Sequence, residues 1–308
     1  MLTIFSIPKP FVGRIATIQR NAIASWSVLR PACEVILCGD EAGTAGIAAE
    51  FGAKHISDIR RNEFGTPMLD DAFEKVEASA SHPLLCYANS DIILLSDLPK
   101  GVDLVARRKR AFLMAGQRWD VEVKQPLDFG PGWEERFRSY LVRNGQLHDQ
   151  TGLDYFVFPR GAMGKLPPFA VGRAGWDNWF IYRARSLGIP VVDATGAVTV
   201  AHQNHDYGHR PGGKEEVYHG EEAMRHLQMA GGLSFMFTLQ DCTHRLTRTG
   251  PRLDLRFDRL SRRIDVLPLL HPRLRFIKPV LRVIAWFSRP VRRRIYKTFQ
   301  EKDNPVQP

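Results

Sequence analysis

Between residues 1 and 90, short apolar runs alternate with amphipathic segments, and this alternation constrains the fold more than any other feature. The apolar runs at 2–7, 34–38 and 84–88 have the length and composition of strands. Residues 14–29 carry apolar side chains at helical spacing. Strands that alternate with helices form βαβ units and a parallel sheet. The sequence therefore predicts an α/β fold with a mainly parallel sheet flanked by helices.

The rest of the chain continues this pattern less regularly. Gly52 follows a small-residue segment and is predicted to end a helix. Cys38 and Cys86 lie in apolar runs and are predicted to be buried, and the four cysteines form no CxxC pair. The other predicted helices span 45–51, 67–80, 134–143, 177–187 and 221–229, and the other predicted strands 54–56, 111–115, 155–158, 191–193 and 198–201.

The net charge of +10 is concentrated at the C-terminal end of the chain. Residues 245–308 contain 17 Lys and Arg against 5 Asp and Glu, so the preceding residues are close to neutral. A neutral body argues against nucleic acid as a partner, whereas a local basic segment favours an anionic surface. The charge distribution therefore marks a basic amphipathic extension, 245–308. The body before it is expected to form two halves of one domain, 1–115 and 116–244.

Basic residues in this extension are interleaved with Leu, Ile, Trp and Phe, which suits a helix lying in a membrane interface. The alternative is a helix packed on the body with a solvated basic face. The apolar run at 280–287 is too short to span a bilayer, and we expect neither a signal peptide nor a transmembrane segment. The expected location is cytoplasmic, with peripheral contact to the inner face of the membrane.

Two acidic motifs follow predicted strands. Asn89-Ser90-Asp91 comes directly after the apolar run at 84–88, and Asp40 follows the run at 34–38. Ligands of open α/β sheets bind at the carboxyl ends of strands. A carboxylate there can hold a divalent cation that holds a diphosphate, or contact a nucleobase or ribose. The alternatives are an Asx turn for the first motif and a helix N-cap for Asp40.

Later in the chain, two further motifs combine polar and aromatic residues. In the segment 172–179, Trp176 and Trp179 flank Asp177 at a predicted helix start. An exposed tryptophan beside a carboxylate is one arrangement by which proteins bind a sugar. The alternative is that Asp177 serves as an N-cap or first-turn acid. The segment 202–209 contains three histidines, at a spacing that does not match a zinc signature. A histidine from it completing a metal shell begun by Asp91 is the favoured interpretation, and a polar loop the alternative.

Taken together, the order of these motifs resembles the GT-A fold glycosyltransferases over about residues 1–210. The DxD motif of that family resembles Asn89-Ser90-Asp91, its acceptor-side acid resembles Asp177, and its metal-binding histidine resembles His202 or His205. The resemblance implies the following roles: donor binding by Ser6, Asp40, Asn89, Asp91 and Arg118; acceptor binding by Trp176, Asn178 and Trp179; catalysis by Asp177; and metal binding by Asp91, His202 and His205.

The activity implied by the resemblance is transfer of a sugar from a nucleoside diphosphate donor, most often a UDP sugar. Mn²⁺ or Mg²⁺ would assist, and the acceptor would be an envelope glycan or a lipid-linked molecule. If Asp177 is the general base, the product is inverted; if it only binds the acceptor, a retaining mechanism stays open. One departure is Asn89, which stands where the DxD motif has an aspartate and removes one negative charge.

Two other classes remain open. A non-catalytic GT-A-like protein that binds a nucleotide sugar or a glycan is consistent with Asn89. A nucleotidyltransferase also uses a parallel sheet and Mg²⁺, but such enzymes carry a Gly-rich basic loop near the N-terminus. Residues 8–14 match such a loop poorly, with one glycine, one lysine and one arginine.

Overall fold

The computed structural model describes residues 1–205 and 220–277 of the 308-residue chain. The chain divides into two compact units, Met1–Asp254 and Leu255–Pro308. The predicted segments 1–115, 116–244 and 245–308 stay a prediction.

Thirteen strands are present in the described residues, and nine of them form one sheet in the order β13-β12-β10-β6-β9-β4-β1-β2-β3. Within it, β9 is antiparallel to β4 and β6, and the edge strand β13 is antiparallel to β12, whereas the other neighbours are parallel. The predicted mainly parallel α/β sheet is therefore confirmed. The strands are β1 Leu2–Ser6, β2 Glu34–Cys38, β3 Lys54–Ile56, β4 Leu84–Ala88, β5 Ile92–Leu94, β6 Leu113–Ala115, β7 Trp119–Val121, β8 Gln146–Leu147, β9 Tyr155–Pro159, β10 Val191–Asp193, β11 Val200–Gln203, β12 His244–Thr247 and β13 Gly250–Leu253.

Helices flank this sheet, and the predicted ones are found within a few residues of their expected bounds. Gly52 has φ 64° and ends the second helix, as expected for a residue without a Cβ. Asp97–Ala106 is a helix that the sequence analysis missed. The helices are α1 Gly13–Ser27, α2 Thr44–Phe51, α3 Leu69–Ser79, α4 Asp97–Ala106, α5 Trp133–Asn144, α6 Trp176–Ser186, α7 Glu221–Met229 and α8 Phe257–Leu270.

A second, four-stranded sheet has the order β5-β11-β7-β8. β11 is antiparallel to β5 and parallel to β7, so that His202 pairs with Ile92 on one side and with Asp120 on the other. Trp26 of α1 is fully buried against this sheet, and its Nε1 donates to the carbonyl of Ile92 at 2.8 Å. The small sheet therefore brings β7, β8 and β11, which are distant in sequence, close to β5, just beyond the end of β4.

The core beneath the carboxyl ends of the central strands is aromatic. The ring of Phe73, on α3, lies 4.9 Å from that of Phe5 and 5.7 Å from those of Tyr87, Phe158 and Phe180, measured between centroids. These rings are almost completely buried. Cys38 and Cys86 are also buried, as predicted, and neither forms a disulfide. This packing fixes the strand ends from which the site is built.

The second unit contains α8, which carries Pro268 in its interior, followed by a 3₁₀ segment at Pro272–Ile277. Within the described part of the chain, no helix is long and apolar enough to cross a membrane. The predicted apolar run at 280–287, and the rest of the basic extension from residue 278 onward, lie outside the described residues.

Candidate functional site

A cavity of about 990 Å³ lies at the carboxyl ends of β1 and β4. Its walls come from residues 7–10 after β1, residues 89–91 after β4, and the loop 171–178 that leads into α6. Arg118 and His148 also line it. The cavity therefore occupies the edge at which open α/β sheets bind ligands.

One wall of the cavity holds three potential metal ligands, Asp91, His202 and His205. Their ligand atoms all lie within 4.8 Å of one another. The Oδ2 atom of Asp91 is 3.1 Å from Nε2 of His205 and 3.7 Å from Nε2 of His202. The antiparallel pairing of β5 with β11 creates this cluster, because it places the residue before β5 beside the histidines. The three residues expected to share a metal are thus brought together.

This cluster fits a divalent cation on two further observations. The Oδ1 atom of Asp91 is buried and has no hydrogen-bond partner among the described residues. A buried carboxylate oxygen without a partner is costly, and a bound cation would satisfy it. One carboxylate and two imidazoles form a mixed oxygen and nitrogen donor set of the kind that binds divalent metal ions.

The charges in the cluster stabilise one another. Burial disfavours ionisation of Asp91, but the positive charge of His202, the hydrogen bond with His205 and the charge of Lys9 outweigh it, and the pKa of Asp91 lies below its usual range. Burial acts against protonation of His202 as well, yet the carboxylates of Asp91 and Asp120 raise the pKa of that imidazole. Asp91 is therefore ionised and ready to bind a cation.

Behind His202 lies a carboxylate that the sequence analysis missed. Asp120, on β7, has Oδ1 3.4 Å from Nδ1 of His202 and 2.9 Å from Nε of Arg118, and Oδ2 2.6 Å from Nδ1 of His148. A carboxylate behind a metal-binding histidine fixes the orientation of its ring. The only sequence signal was the position of Asp120 two residues after Arg118, because the pairing of β7 with β11 is not visible in the sequence.

A second carboxylate, Asp154, accepts hydrogen bonds from two residues that the sequence analysis assigned to donor binding. Its Oδ1 accepts a hydrogen bond from Nδ2 of Asn89 at 2.9 Å, and its Oδ2 accepts one from Nη1 of Arg118. Arg118 is thus held between two carboxylates, Asp120 and Asp154, which together raise its pKa against the opposing effect of burial. Asn89 and Arg118 both line the cavity, with Nδ2 of Asn89 and Nε and Nη1 of Arg118 already hydrogen-bonded within the protein.

Asp177 lines the cavity from the first turn of α6. The N-cap of that helix is Gly175, with φ 100°, so the alternative of a first-turn acid is confirmed and that of an N-cap is wrong. The backbone N–H of Asn178 donates to Oδ1 of Asp177 at 2.9 Å. Burial, reinforced by the charge of Asp154, raises the pKa of Asp177 to about 6 despite the opposing backbone hydrogen bonds. A carboxylate of this pKa is suited to accept a proton near neutral pH.

The expectation that the two tryptophans are exposed is wrong. Trp176 is 5% exposed and packs edge-on against Tyr87, with ring centroids 5.0 Å apart, although it still lines the cavity. Trp179 is 7% exposed, packs against Phe169 at 5.3 Å and does not line the cavity. Asn178 lines the cavity while its Nδ2 donates to the carbonyl of Phe237 at 2.8 Å. The aromatic residues of this motif therefore anchor the start of α6.

Ser6 and Asp40 lie outside the cavity lining. Ser6 is buried within β1, and its hydroxyl has no hydrogen-bond partner among the described residues. The carboxylate of Asp40 is 65% exposed and paired with Arg61, and the N-cap of the helix that follows, α2, is Gly43, so the N-cap alternative for Asp40 is wrong. The next residue, Glu41, lines the cavity instead.

A buried ion pair supports the wall that carries Asp177. The Nη2 atom of Arg173 donates to Oε2 of Glu222 on α7, and both side chains are 6% exposed. Oε1 of Glu222 also accepts a hydrogen bond from Nδ2 of Asn62 at 2.6 Å. Breaking such a pair leaves an uncompensated buried charge.

We therefore expect Glu222→Ala to lower the free energy of unfolding by about 3–5 kcal/mol. Urea denaturation followed by circular dichroism measures this change. The matched control is Glu221→Ala, because that carboxylate is 64% exposed and pairs at the surface with Arg225; its expected effect is within about 0.5 kcal/mol. Equal effects of the two substitutions would show that the buried pair does not stabilise this wall.

No protein-family model matches the chain, and no curated protein matches it. Solved structures that resemble it include glucosyl-3-phosphoglycerate synthase from Mycobacterium tuberculosis in complex with Mg²⁺ and UDP, at 16% identity over 75% of this chain and 80% of that one, with a TM-score of 0.45. A mycobacterial protein matches at 13% identity over 77% and 74%, with a TM-score of 0.45. S. aureus TarS in complex with UDP matches at 11% identity over 39% and 36%, with a TM-score of 0.31. These likenesses concern the fold, and the function proposed below rests on the side chains of the site.

Proposed function

We propose that this protein is a glycosyltransferase that uses a nucleoside diphosphate sugar, with UDP sugars as the favoured donors. One observation carries the proposal: a single cavity at the carboxyl ends of the strands contains both a cation-binding cluster and a separate carboxylate of raised pKa. These two features serve a metal-assisted, inverting sugar transfer, because the cation neutralises the departing diphosphate and the carboxylate takes a proton from the acceptor.

Asp91, His202 and His205 would hold the divalent cation, and Asp120 would orient His202. The cation supplies positive charge beside the diphosphate and so stabilises it as a leaving group. Asn89 would take part by holding Asp154 in place through its Nδ2 atom.

Asp177 would act on the acceptor. Its ionised carboxylate removes the proton of the acceptor hydroxyl as the oxygen bonds to the anomeric carbon, while the bond from that carbon to the diphosphate oxygen breaks and the diphosphate leaves with the electron pair. A general base in this role gives inversion. A carboxylate that only binds the acceptor would be compatible with retention, and replacement of Asp177 separates the two.

A non-catalytic binding protein is the second candidate, and the side chain at the first DxD position favours it. Asn89 contributes no charge, and its amide is bonded to Asp154. The two candidates differ in turnover. Incubation of the wild-type protein with UDP-glucose and Mn²⁺ should release UDP, because water can take the place of the acceptor. The variant Asp177→Asn should release UDP more slowly. Tight UDP-glucose binding without UDP release would favour the binding protein.

The acceptor is proposed to be an envelope glycan or a lipid-linked molecule, with the basic extension holding the enzyme at an anionic membrane. In the described part of this extension, Arg245 and Arg252 face each other across the hairpin β12–β13, and Arg248 is exposed in its turn. Two like charges directly opposite each other on neighbouring strands are destabilising, and an anionic surface would relieve their repulsion.

We therefore expect the protein to sediment with phosphatidylglycerol vesicles and not with phosphatidylcholine vesicles. Reversal of the three hairpin charges, Arg245→Glu with Arg248→Glu and Arg252→Glu, should weaken this association at least tenfold, since each basic residue near an anionic leaflet contributes to binding. The matched control is Lys124→Glu with Arg143→Glu, two exposed positions of the first unit outside this hairpin. Undiminished sedimentation of the triple variant would exclude the hairpin as the membrane contact.

A further inference from the structure

Lys9 is a cationic residue of the cavity that forms no ion pair with a carboxylate of the described residues. It follows β1 and lines the cavity together with Asp91. Among the described residues, no carboxylate oxygen lies within 4.0 Å of its ammonium group. Asp91 is nevertheless close enough for the two charges to influence each other's ionisation. The side chain of Lys9 is half-buried, so its charge is only partly screened by water.

The two arginines of the cavity differ from Lys9 in this respect. Arg118 is held by the carboxylates of Asp120 and Asp154. Arg173 is paired with Glu222 in a buried contact. Each of these positive charges is already balanced by carboxylates within the protein. Arg118, to which the sequence analysis assigned donor binding, is therefore a weaker candidate for contact with phosphate than Lys9.

The backbone of Lys9 is fixed beside the cation-binding cluster by Gln19. The side chain of Gln19 is 1% exposed. Its Nε2 donates to the carbonyl of Lys9 at 2.8 Å, and its Oε1 accepts both the N–H of Lys9 at 2.7 Å and the hydroxyl of Ser90 at 2.7 Å. Ser90 directly precedes Asp91. One buried amide therefore ties the segment after β1 to the segment after β4, and it sets the position from which the Lys9 side chain enters the cavity.

We propose that the ammonium group of Lys9 binds the diphosphate of the nucleotide sugar and that Gln19 positions it. This inference rests on the proposed function, since it deepens the description of the same donor site. A divalent cation on Asp91 would add two positive charges to the cavity that Lys9 also lines, and the negative diphosphate would balance part of the combined positive charge. Charge-assisted hydrogen bonds from a lysine to phosphate oxygens are among the stronger interactions in such sites.

The test is isothermal titration calorimetry with UDP and with uridine, each in Mn²⁺ and in EDTA. The variant Lys9→Met removes the charge and keeps the apolar stem, Lys9→Arg keeps the charge, and Lys124→Met is the matched control at an exposed lysine outside the cavity. We expect Lys9→Met to weaken UDP binding in Mn²⁺ roughly 10- to 100-fold. Uridine binding should be unchanged, and Lys9→Arg should recover most of the affinity for UDP.

Three outcomes would overturn the inference, and they are distinguishable. If wild type binds UDP and Lys9→Met binds it as tightly, Lys9 does not contact the diphosphate, and the proposed function stands. If wild type binds none of UDP, GDP, CDP and dTDP, both the proposed function and the role of Lys9 are wrong. Equal weakening of UDP and uridine by Lys9→Met would also overturn the inference, because a contact with phosphate cannot affect a ligand that has none.

Discussion

Asp177→Asn is expected to slow sugar transfer about 10²- to 10⁴-fold, which is the usual contribution of a general base. Donor affinity should change by less than about twofold, because the cation-binding cluster is formed by Asp91, His202 and His205. Asparagine retains the shape of the side chain and the oxygen that accepts the N–H of Asn178. The rate is measured as UDP release from UDP-glucose in Mn²⁺, and the affinity by calorimetry with UDP.

The matched control for this substitution is Glu41→Gln. Glu41 also lines the cavity, but its carboxylate is hydrogen-bonded to Arg61 at 2.9 Å. We expect this variant to retain most of the rate. Undiminished transfer by Asp177→Asn would remove the base assignment and favour a role in acceptor binding.

The raised pKa of Asp177 also predicts a gain in stability for the same variant. In the folded protein this carboxyl has a pKa of about 6, compared with its ordinary value of 3.8. Ionisation therefore costs stability above pH 6, by up to about 3 kcal/mol at about 1.4 kcal/mol per unit. Asp177→Asn avoids this cost, so its free energy of unfolding should exceed that of wild type at pH 8. The gain should shrink as the pH falls through 6 and vanish below about 4.

Urea denaturation at several pH values between 4 and 8 measures this gain, and the rate of UDP release over the same range gives a second readout. Because the base must be ionised, the wild-type rate should fall about tenfold per unit below pH 6. A variant that is no more stable than wild type at pH 8 would show that Asp177 is not destabilised by its surroundings.

Asp91→Asn is expected to weaken Mn²⁺-dependent UDP binding at least 100-fold. Asp91 supplies the carboxylate of the cation cluster, and its buried Oδ1 atom has no other partner among the described residues. Asparagine preserves size but cannot neutralise a divalent cation. Calorimetric titration of Mn²⁺ and then UDP measures the effect, and an unchanged Mn²⁺ requirement would place the cation elsewhere.

Asn89→Asp serves as the control for this second prediction. It restores the acidic residue that the DxD motif has at its first position, but in this chain it would place a carboxylate against Oδ1 of Asp154, where Asn89 now donates at 2.9 Å. We expect no gain in Mn²⁺ affinity, since the repulsion between two carboxylates offsets any added attraction for the cation. A large gain would mean that Asn89 faces the cation directly.

The main sheet was largely predictable because its central strands are buried on both faces. Continuous apolar runs such as 84–88 can be recognised without knowledge of their neighbours. The small sheet was not predictable, because β5 and β7 are three residues long and β8 has two. At that length, the pairing of a strand with distant segments decides its formation more than its own sequence does.

The same physics separates the predicted and missed parts of the site. Asp91, His202 and His205 could be proposed because carboxylates and imidazoles after strands are typical metal ligands. Asp120 and Asp154 were missed, because their roles depend on strand pairings between segments far apart in sequence. The burial of the two tryptophans was missed for a related reason: the aromatic core that receives Trp176 comes from strands and helices throughout the first unit.

The central claim is a cation-dependent nucleotide-sugar site built on Asp91. A thermal-shift panel tests it most directly, with UDP, GDP, CMP and dTDP sugars each added in Mn²⁺ or in EDTA. Binding to the native state raises the unfolding midpoint by mass action. We predict an upward shift for UDP sugars that requires Mn²⁺ and is absent in Asp91→Asn. A folded wild-type protein that shifts with none of the donors, or shifts equally in EDTA and in Asp91→Asn, would contradict the claim.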